Sequence, residues 1–152
     1  EGHTQDRWGQ LNDRVELLYA PVKNANQIFK RNDLSGDEEN AGNAVWVGSE
    51  LMTISISGDQ AAKQPTVAIE ALGNAEMEGR NFYARAYSLQ YEQAKEMFTL
   101  RGKGRDKATL NVQRTAGEAF SKLPAQVIHI FPSKQEVSVD GAKTFTTAFG
   151  GP

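Results

Sequence analysis

The sequence contains no cysteine and only two histidines, His3 and His129. Disulfide frameworks, thiolate zinc sites and cysteine nucleophiles are thereby excluded, and the redox compartment is left open. No run of about 18 apolar residues occurs, so no helix is expected to span a membrane. The formal charge is only -2, which implies neither a nucleic acid nor an anionic membrane as partner. Catalytic signatures are missing as well: there is no G-x-S-x-G nucleophile elbow and no H-E-x-x-H metal helix. Apolar residues make up 39%, a modest share that leaves room for an elongated shape with a thin core. The first residue, Glu1, is not followed by a signal-like segment, as expected of a mature or excised piece.

What is present points to strands. A chain of 152 residues reads as one domain, and at that size about 68–70% of the unfolded surface can be buried without metal or disulfide. Residues 1–14 are polar, with Trp8 and Leu11 as the only sizeable apolar groups, and are expected to form a loose arm. From 15 to 149 a single β-domain is expected. Val15, Leu17 and Tyr19 alternate with Arg14, Glu16 and Leu18, the period of a strand. Residues 32–43 and 58–65 are loops by composition. Between them, Val45 and Val47 lie on one parity and Met52, Ile54 and Ile56 on the other, with Gly48 marking a bulge. After Gly73, short alternating runs recur about every ten residues with turn signals between them, as in an antiparallel sandwich, barrel or jelly roll. EQAKEM, residues 92–97, is too short for a stable helix and is expected to connect a hairpin.

The chain also repeats. A shift of 39 residues lays Ala86 on Ala125, Leu89 on Ile128, Tyr91 on Ile130, Phe98 on Val137 and Leu100 on Val139. Both copies change apolar parity at the same place, between Ala86 and Leu89 and between Ala125 and Ile128. A weaker shift of 31 lays Gly42-Asn43-Ala44 on Gly73-Asn74-Ala75. Stacked strand-turn-strand units bury their apolar faces on one another and leave strand edges at the ends.

The recurring elements are Gly73-Asn74 opening a strand, an alanine-rich run with Ala84 and Ala86, Leu89-x-Tyr91, a polar hairpin, and Leu100-x-Gly102. In this pattern the chain resembles the OstA-like family, to which the periplasmic bridge for lipopolysaccharide belongs. The resemblance covers residues 73–143 well and 42–56 thinly, and rests on apolar spacing and glycines. The loop at 58–65 interrupts it, and residues 1–40 have no counterpart. It implies a repetitive antiparallel β-jelly roll, a V-shaped sandwich whose two sheets enclose an apolar trough for acyl chains. Its implied setting is the periplasm or cell envelope. Implied partners are lipopolysaccharide or another glycolipid, and other OstA-like domains or the chain itself through edge-strand pairing.

The residues on which this reading rests have plainer explanations beside them. Phe82, Leu89, Tyr91, Phe98, Leu100, Leu110, Ile128, Ile130, Val137 and Val139 line an apolar groove on the lipid reading, yet a closed core uses the same residue types. Arg101, Lys103, Arg105 and Lys107 share one parity and would line one face of an extended backbone, suited to phosphate groups. A solvated edge that discourages aggregation has the same appearance. Asp33, Asp37, Glu38 and Glu39 cluster around Gly36 without the spacing of a calcium loop. His129 faces away from Ile128 and Ile130, towards solvent. Glu76 and Glu78 share a strand face, as carboxylates on solvated sheets often do.

The expectation is therefore an all-β, non-enzymatic domain without catalytic residues, metal or cofactor, binding or bridging lipopolysaccharide or a similar lipid. The alternative is a self-assembling or docking β-module with no lipid ligand. A sandwich-type carbohydrate enzyme is a third reading, for which Trp8 and Trp46 offer little support.

Overall fold

Alternation in the sequence is realised as strands along most of the described chain. The structure, a computed structural model, describes residues 7–19, 30, 34, 44–58, 65–115, 117–134, 136–140 and 145–146. Four long strands come first: β1 (Arg7–Tyr19), β2 (Val45–Ser57), β3 (Thr66–Gly79) and β4 (Phe82–Glu92). Shorter ones follow: β5 (Met97–Arg101), β6 (Ala108–Val112), β7 (Ser121–Ala125), β8 (Val127–Phe131), β9 (Glu136–Val139) and β10 (Phe145–Thr146). Every pairing is antiparallel, and all ten strands belong to one sheet that does not close on itself. β4 and β5 are joined by a 3-10 turn at Gln93–Lys95 with Glu96 in the left-handed region, so the 92–97 segment is a hairpin connection.

Interruptions in the strands fall side by side. The β1–β2 register shifts between Asn12 and Val15, the β2–β3 register between Gly48 and Leu51, and the β3–β4 register between Leu72 and Ala75. Asp13, Arg14, Gly73 and Asn74 take positive φ at these points. At the same level β4 changes partner, pairing β6 through Phe82–Arg85 and β5 through Ser88–Glu92. Beyond it, residues 102–107 separate β5 from β6, and Gln126 separates β7 from β8. A bulge bends its strand, and bulges stacked in register bend a sheet along one line. The line is a crease with a leaf on either side.

The core lies on one face of this sheet. Val47, Met77, Ala84, Leu110 and Leu123 form a cross-strand row in one leaf. Met52, Ala71, Leu89, Leu100, Ile128 and Val139 form a row in the other. Both rows belong to one cluster, and Met52, Met77, Leu89, Leu100, Leu110 and Ile128 are sealed from solvent. Among the described residues no helix or second sheet lies over this face. The leaves cover each other, and each sealed aliphatic side chain contributes about 1.5–3 kcal/mol. Beside the crease the row is made of alanine: Ala75 pairs Ala86, and Ala108 pairs Ala125. Where the leaves meet, the inward side chains of these four positions are methyl groups.

The 39-residue repeat is the two-strand step of the sheet. Leu110 lies between Ala84 and Leu123, Leu100 between Leu89 and Ile128, and Phe98 between Tyr91 and Ile130, each flanking pair 39 positions apart. The shared parity change falls at Tyr87 in one copy and at Gln126 in the other, both on the crease. The 31-residue shift has no such meaning. The two-strand step from β2 to β4 is 37, as from Met52 through Ala71 to Leu89.

One expectation is corrected. Residues 7–14, read as part of a loose arm, form the first half of β1 and pair with β2 from Arg7↔Ile56 to Asn12↔Leu51. The ladder of backbone hydrogen bonds orders this half although Leu11 is 50% exposed. The loop at 32–43 lies outside the described residues apart from Leu34, which is buried with Ala44 and Trp46 on the face opposite the core. The 58–65 loop is described only at its ends, Gly58 and Pro65.

Candidate functional site

All ten residues expected to line an apolar groove point to the inner face, and all are buried. Leu89, Leu100, Leu110, Ile128 and Ile130 have no exposed surface; the most exposed of the set, Val139, retains 8%. These side chains form the core of the creased sheet. The interior opens at the rim farthest from the crease. There Tyr19, Val45, Tyr91, Phe98, Pro132 and Ser133, with the Glu96 carboxylate, surround an opening of about 190 Å³. Tyr91 stacks obliquely on Phe98 at 4.5 Å and approaches Tyr19 at 5.9 Å between ring centroids. Burial of the ring, reinforced by Tyr19 and by Glu96, pushes the Tyr91 hydroxyl up to about 12. It is therefore a neutral hydrogen-bonding group at the edge of an apolar opening. Tyr19, Val45 and Pro132 are rim residues the groove set lacked; for Tyr19, its place at the end of an alternating run, in phase with Val15 and Leu17, was the available signal.

The four basic residues do not share one extended face. Residues 102–107 form a separate hairpin, closed by Lys103 N–H donating to the Asp106 carbonyl at 2.9 Å and Asp106 N–H to the Lys103 carbonyl at 3.0 Å. Gly104, with φ of +61, and Arg105 are its central residues, and glycine at the first central position suits a type II′ turn. Arg101 stays on β5, Arg105 sits at the hairpin tip, and Lys103 and Lys107 face a pocket on the outer side of the crease. All four are exposed.

That outer side carries polar structure the sequence did not reveal. Arg85 Nε lies 3.1 Å from Glu76 Oε1, and the Tyr83 hydroxyl donates to the same carboxylate at 3.1 Å. Arg85 also donates to the Tyr83 oxygen. Burial raises the Tyr83 hydroxyl above its ordinary value, against the opposing pull of Arg85. Glu76 is thus tied into a cross-strand pair, and Glu78 stands opposite Tyr83 on the same face. Asn74 donates its side-chain amide to Glu50 across the β2–β3 bulges. His129 lies on the outer face, half-buried, with Nδ1 at 3.1 Å from the Thr99 hydroxyl. Among the described residues no three His, Cys, Asp or Glu side chains are placed to hold a metal ion, and no helix is long and apolar enough to cross a membrane. His3 and the acidic group Asp33, Asp37, Glu38 and Glu39 lie outside the described residues. No protein-family model, no curated protein and no solved structure matches the chain.

Proposed function

We propose that this chain is a non-enzymatic, OstA-like β-domain of the periplasm or cell envelope, a V-shaped jelly roll that binds or bridges lipopolysaccharide or a similar glycolipid. The observation that carries the reading is the form of the apolar interior. It is one continuous cluster between two leaves of an open sheet, and it reaches the surface at an aromatic rim beside Tyr19 and Tyr91. An acyl chain enters there and extends inward as the leaves part. Each square ångström of apolar surface it buries contributes about 25 cal/mol, so several inserted methylenes offset the packing that the parting leaves give up. β1, paired only with β2 among the described strands, supplies a 13-residue edge for docking to another β-domain or to a second copy.

The test is thermal unfolding against increasing concentrations of a lipid A-type glycolipid. A melting temperature that climbs and saturates is expected. A flat response at concentrations high enough to saturate ordinary lipid sites removes the lipid from the reading. A second reading, a docking module without lipid ligand, is favoured by the burial of all ten inner residues. It predicts that flat response together with concentration-dependent oligomers in sedimentation.

A further inference from the structure

On the outer side of the crease, away from the apolar interior, lies a pocket of about 420 Å³. Its size falls in the range of small-molecule sites, roughly 300–1,000 Å³. The bulge in β3 supplies Asn74, β4 supplies Arg85 and Tyr87, and the 102–107 hairpin supplies Lys103 and Lys107. The hairpin is fixed from behind. Gly102 N–H donates to the Gln126 carbonyl at 2.9 Å, and the Gln126 side-chain amide donates to the Gly104 carbonyl at 3.0 Å. Asn74 is held by its bond to Glu50, which leaves its amide oxygen as an acceptor.

The charges in the pocket are unequally satisfied. Arg85 is already paired with Glu76. Lys103 lies over the Tyr87 ring at 4.2 Å, a cation–π contact that orients its ammonium without neutralising it. Lys107 makes no ion pair among the described residues. The charged lining comprises Arg85, Lys103 and Lys107 against Glu76 and Asp106, a net charge of +1, and with Arg85 held by Glu76 the two lysines carry the excess. Lysine ammoniums are compact point charges with three rotatable donors, and they bind phosphate without needing a bidentate fork. Tyr87 is 42% exposed and offers ring surface to the C–H face of a sugar, with Asn74 and Glu76 as hydrogen-bonding groups for hydroxyls. We infer that the outer crease is a binding site for a phosphorylated sugar, its phosphate held by Lys103 and Lys107 and its ring set against Tyr87. The site stands independently of whether the interior admits an acyl chain. Its ligand is either the sugar phosphate of a glycolipid headgroup or a soluble one.

The experiment is amide chemical-shift titration of the isotopically labelled chain with glucosamine 1-phosphate, inorganic phosphate and glucosamine. Saturable shifts are expected at Asn74, Tyr87 and residues 102–107 with glucosamine 1-phosphate, weaker shifts at the same amides with phosphate, and none with glucosamine. Lys107→Gln, at an exposed position, should weaken glucosamine 1-phosphate about tenfold, as loss of one charge-assisted contact does, with the rest of the spectrum unchanged. Tyr87→Ala should reduce glucosamine 1-phosphate to the affinity of phosphate. Absence of saturable shifts at these amides, or binding undiminished in Lys107→Gln, overturns the site, and equal affinity of the wild type for phosphate and glucosamine 1-phosphate overturns the sugar. Addition of a lipid A-type glycolipid separates the sources: displacement of glucosamine 1-phosphate from the hairpin amides supports the site with a headgroup ligand, and retention supports it with a soluble one. Glycolipid shifts confined to the Tyr19–Tyr91 rim, with glucosamine 1-phosphate retained at the hairpin, likewise support the site with a soluble ligand.

Discussion

Ala75 and Ala86 are cross-strand partners directly beside the β3–β4 bulge, with their methyl groups in the angle where the two leaves meet. Ala75 is 1% exposed. A larger side chain there has to push the leaves apart at their narrowest point, so Ala75→Leu is expected to destabilise the domain by about 1–3 kcal/mol. Ala68, exposed on the opposite face of the same strand, is the control, and Ala68→Leu should stay within about 0.5 kcal/mol of wild type. Urea denaturation midpoints compare the two. Equal midpoints for both variants would show that the crease is not tightly packed.

Leu100 tests whether the inner face is a true core. It is flanked by Leu89 and Ile128 and has no exposed surface. Truncation to alanine leaves a cavity bounded by two strands of its own leaf and by the facing leaf. Leu100→Ala is expected to cost about 2–5 kcal/mol, read from the same denaturation curves. A loss below about 1 kcal/mol, the lower bound for even an Ile→Val change in most packed cores being near half of that, would mean that the leaves are loosely apposed and already groove-like.

Strand parity carried most of the fold in the sequence because one face of every central strand is buried, and a half-buried strand imposes period two. The parity change shared by Ala86–Leu89 and Ala125–Ile128 also carried the crease, since a bulge has to shift the apolar phase. The first half of β1 was illegible for the opposite reason. It is an edge segment with exposed neighbours such as Leu11, ordered by backbone bonds that leave no apolar pattern. Arg101 to Lys107 were misplaced because parity was extended through a turn. Gly104-Arg105 between Lys103 and Asp106 fits the Gly-x form of a two-residue hairpin, and that form was the overlooked signal. Tyr87 and Asn74 were missed as site residues because only the fold sets the β3 bulge beside the 102–107 hairpin. Groove and core, finally, demand the same residue types, and only burial in the folded chain distinguishes Leu89 as core from Tyr19 as rim.

Gly102 is required by backbone proximity. A Cβ at this position would stand 2.2 Å from the Asp106 carbonyl oxygen and 3.0 Å from the Ala108 nitrogen. Both are main-chain atoms, so no side-chain rotation relieves the contact. Gly102→Ala should force the 102–107 hairpin off the sheet, cost about 1–3 kcal/mol, and speed hydrogen exchange at Lys103 and Asp106, whose amides close the hairpin. Unchanged exchange at those two amides would contradict this account of the crease.

Tyr91 gives the domain a specific weakness at alkaline pH. Its hydroxyl ordinarily ionises at 10.0, and burial, with Tyr19 and Glu96 adding to it, moves this to about 12 in the folded chain. Between these values the unfolded chain has released the proton while the folded chain keeps it. The unfolded state then binds fewer protons, and stability falls as pH rises. The contribution is fully present below pH 10 and is lost as pH climbs through about 12. Tyr83, also raised by burial, declines over an overlapping range but does so equally in wild type and in Tyr91→Phe. The expected result is a pair of stability curves that run parallel below pH 10 and converge or cross above it, because the phenylalanine variant has no proton to lose at this site. Denaturant titrations at intervals from pH 8 to about 12 measure it, with the phenolate absorbance near 295 nm following ionisation directly. Curves that remain parallel to the top of the range would mean that the Tyr91 hydroxyl is open to water, and the rim beside Tyr19 would then be a solvated cleft and no longer an apolar doorway.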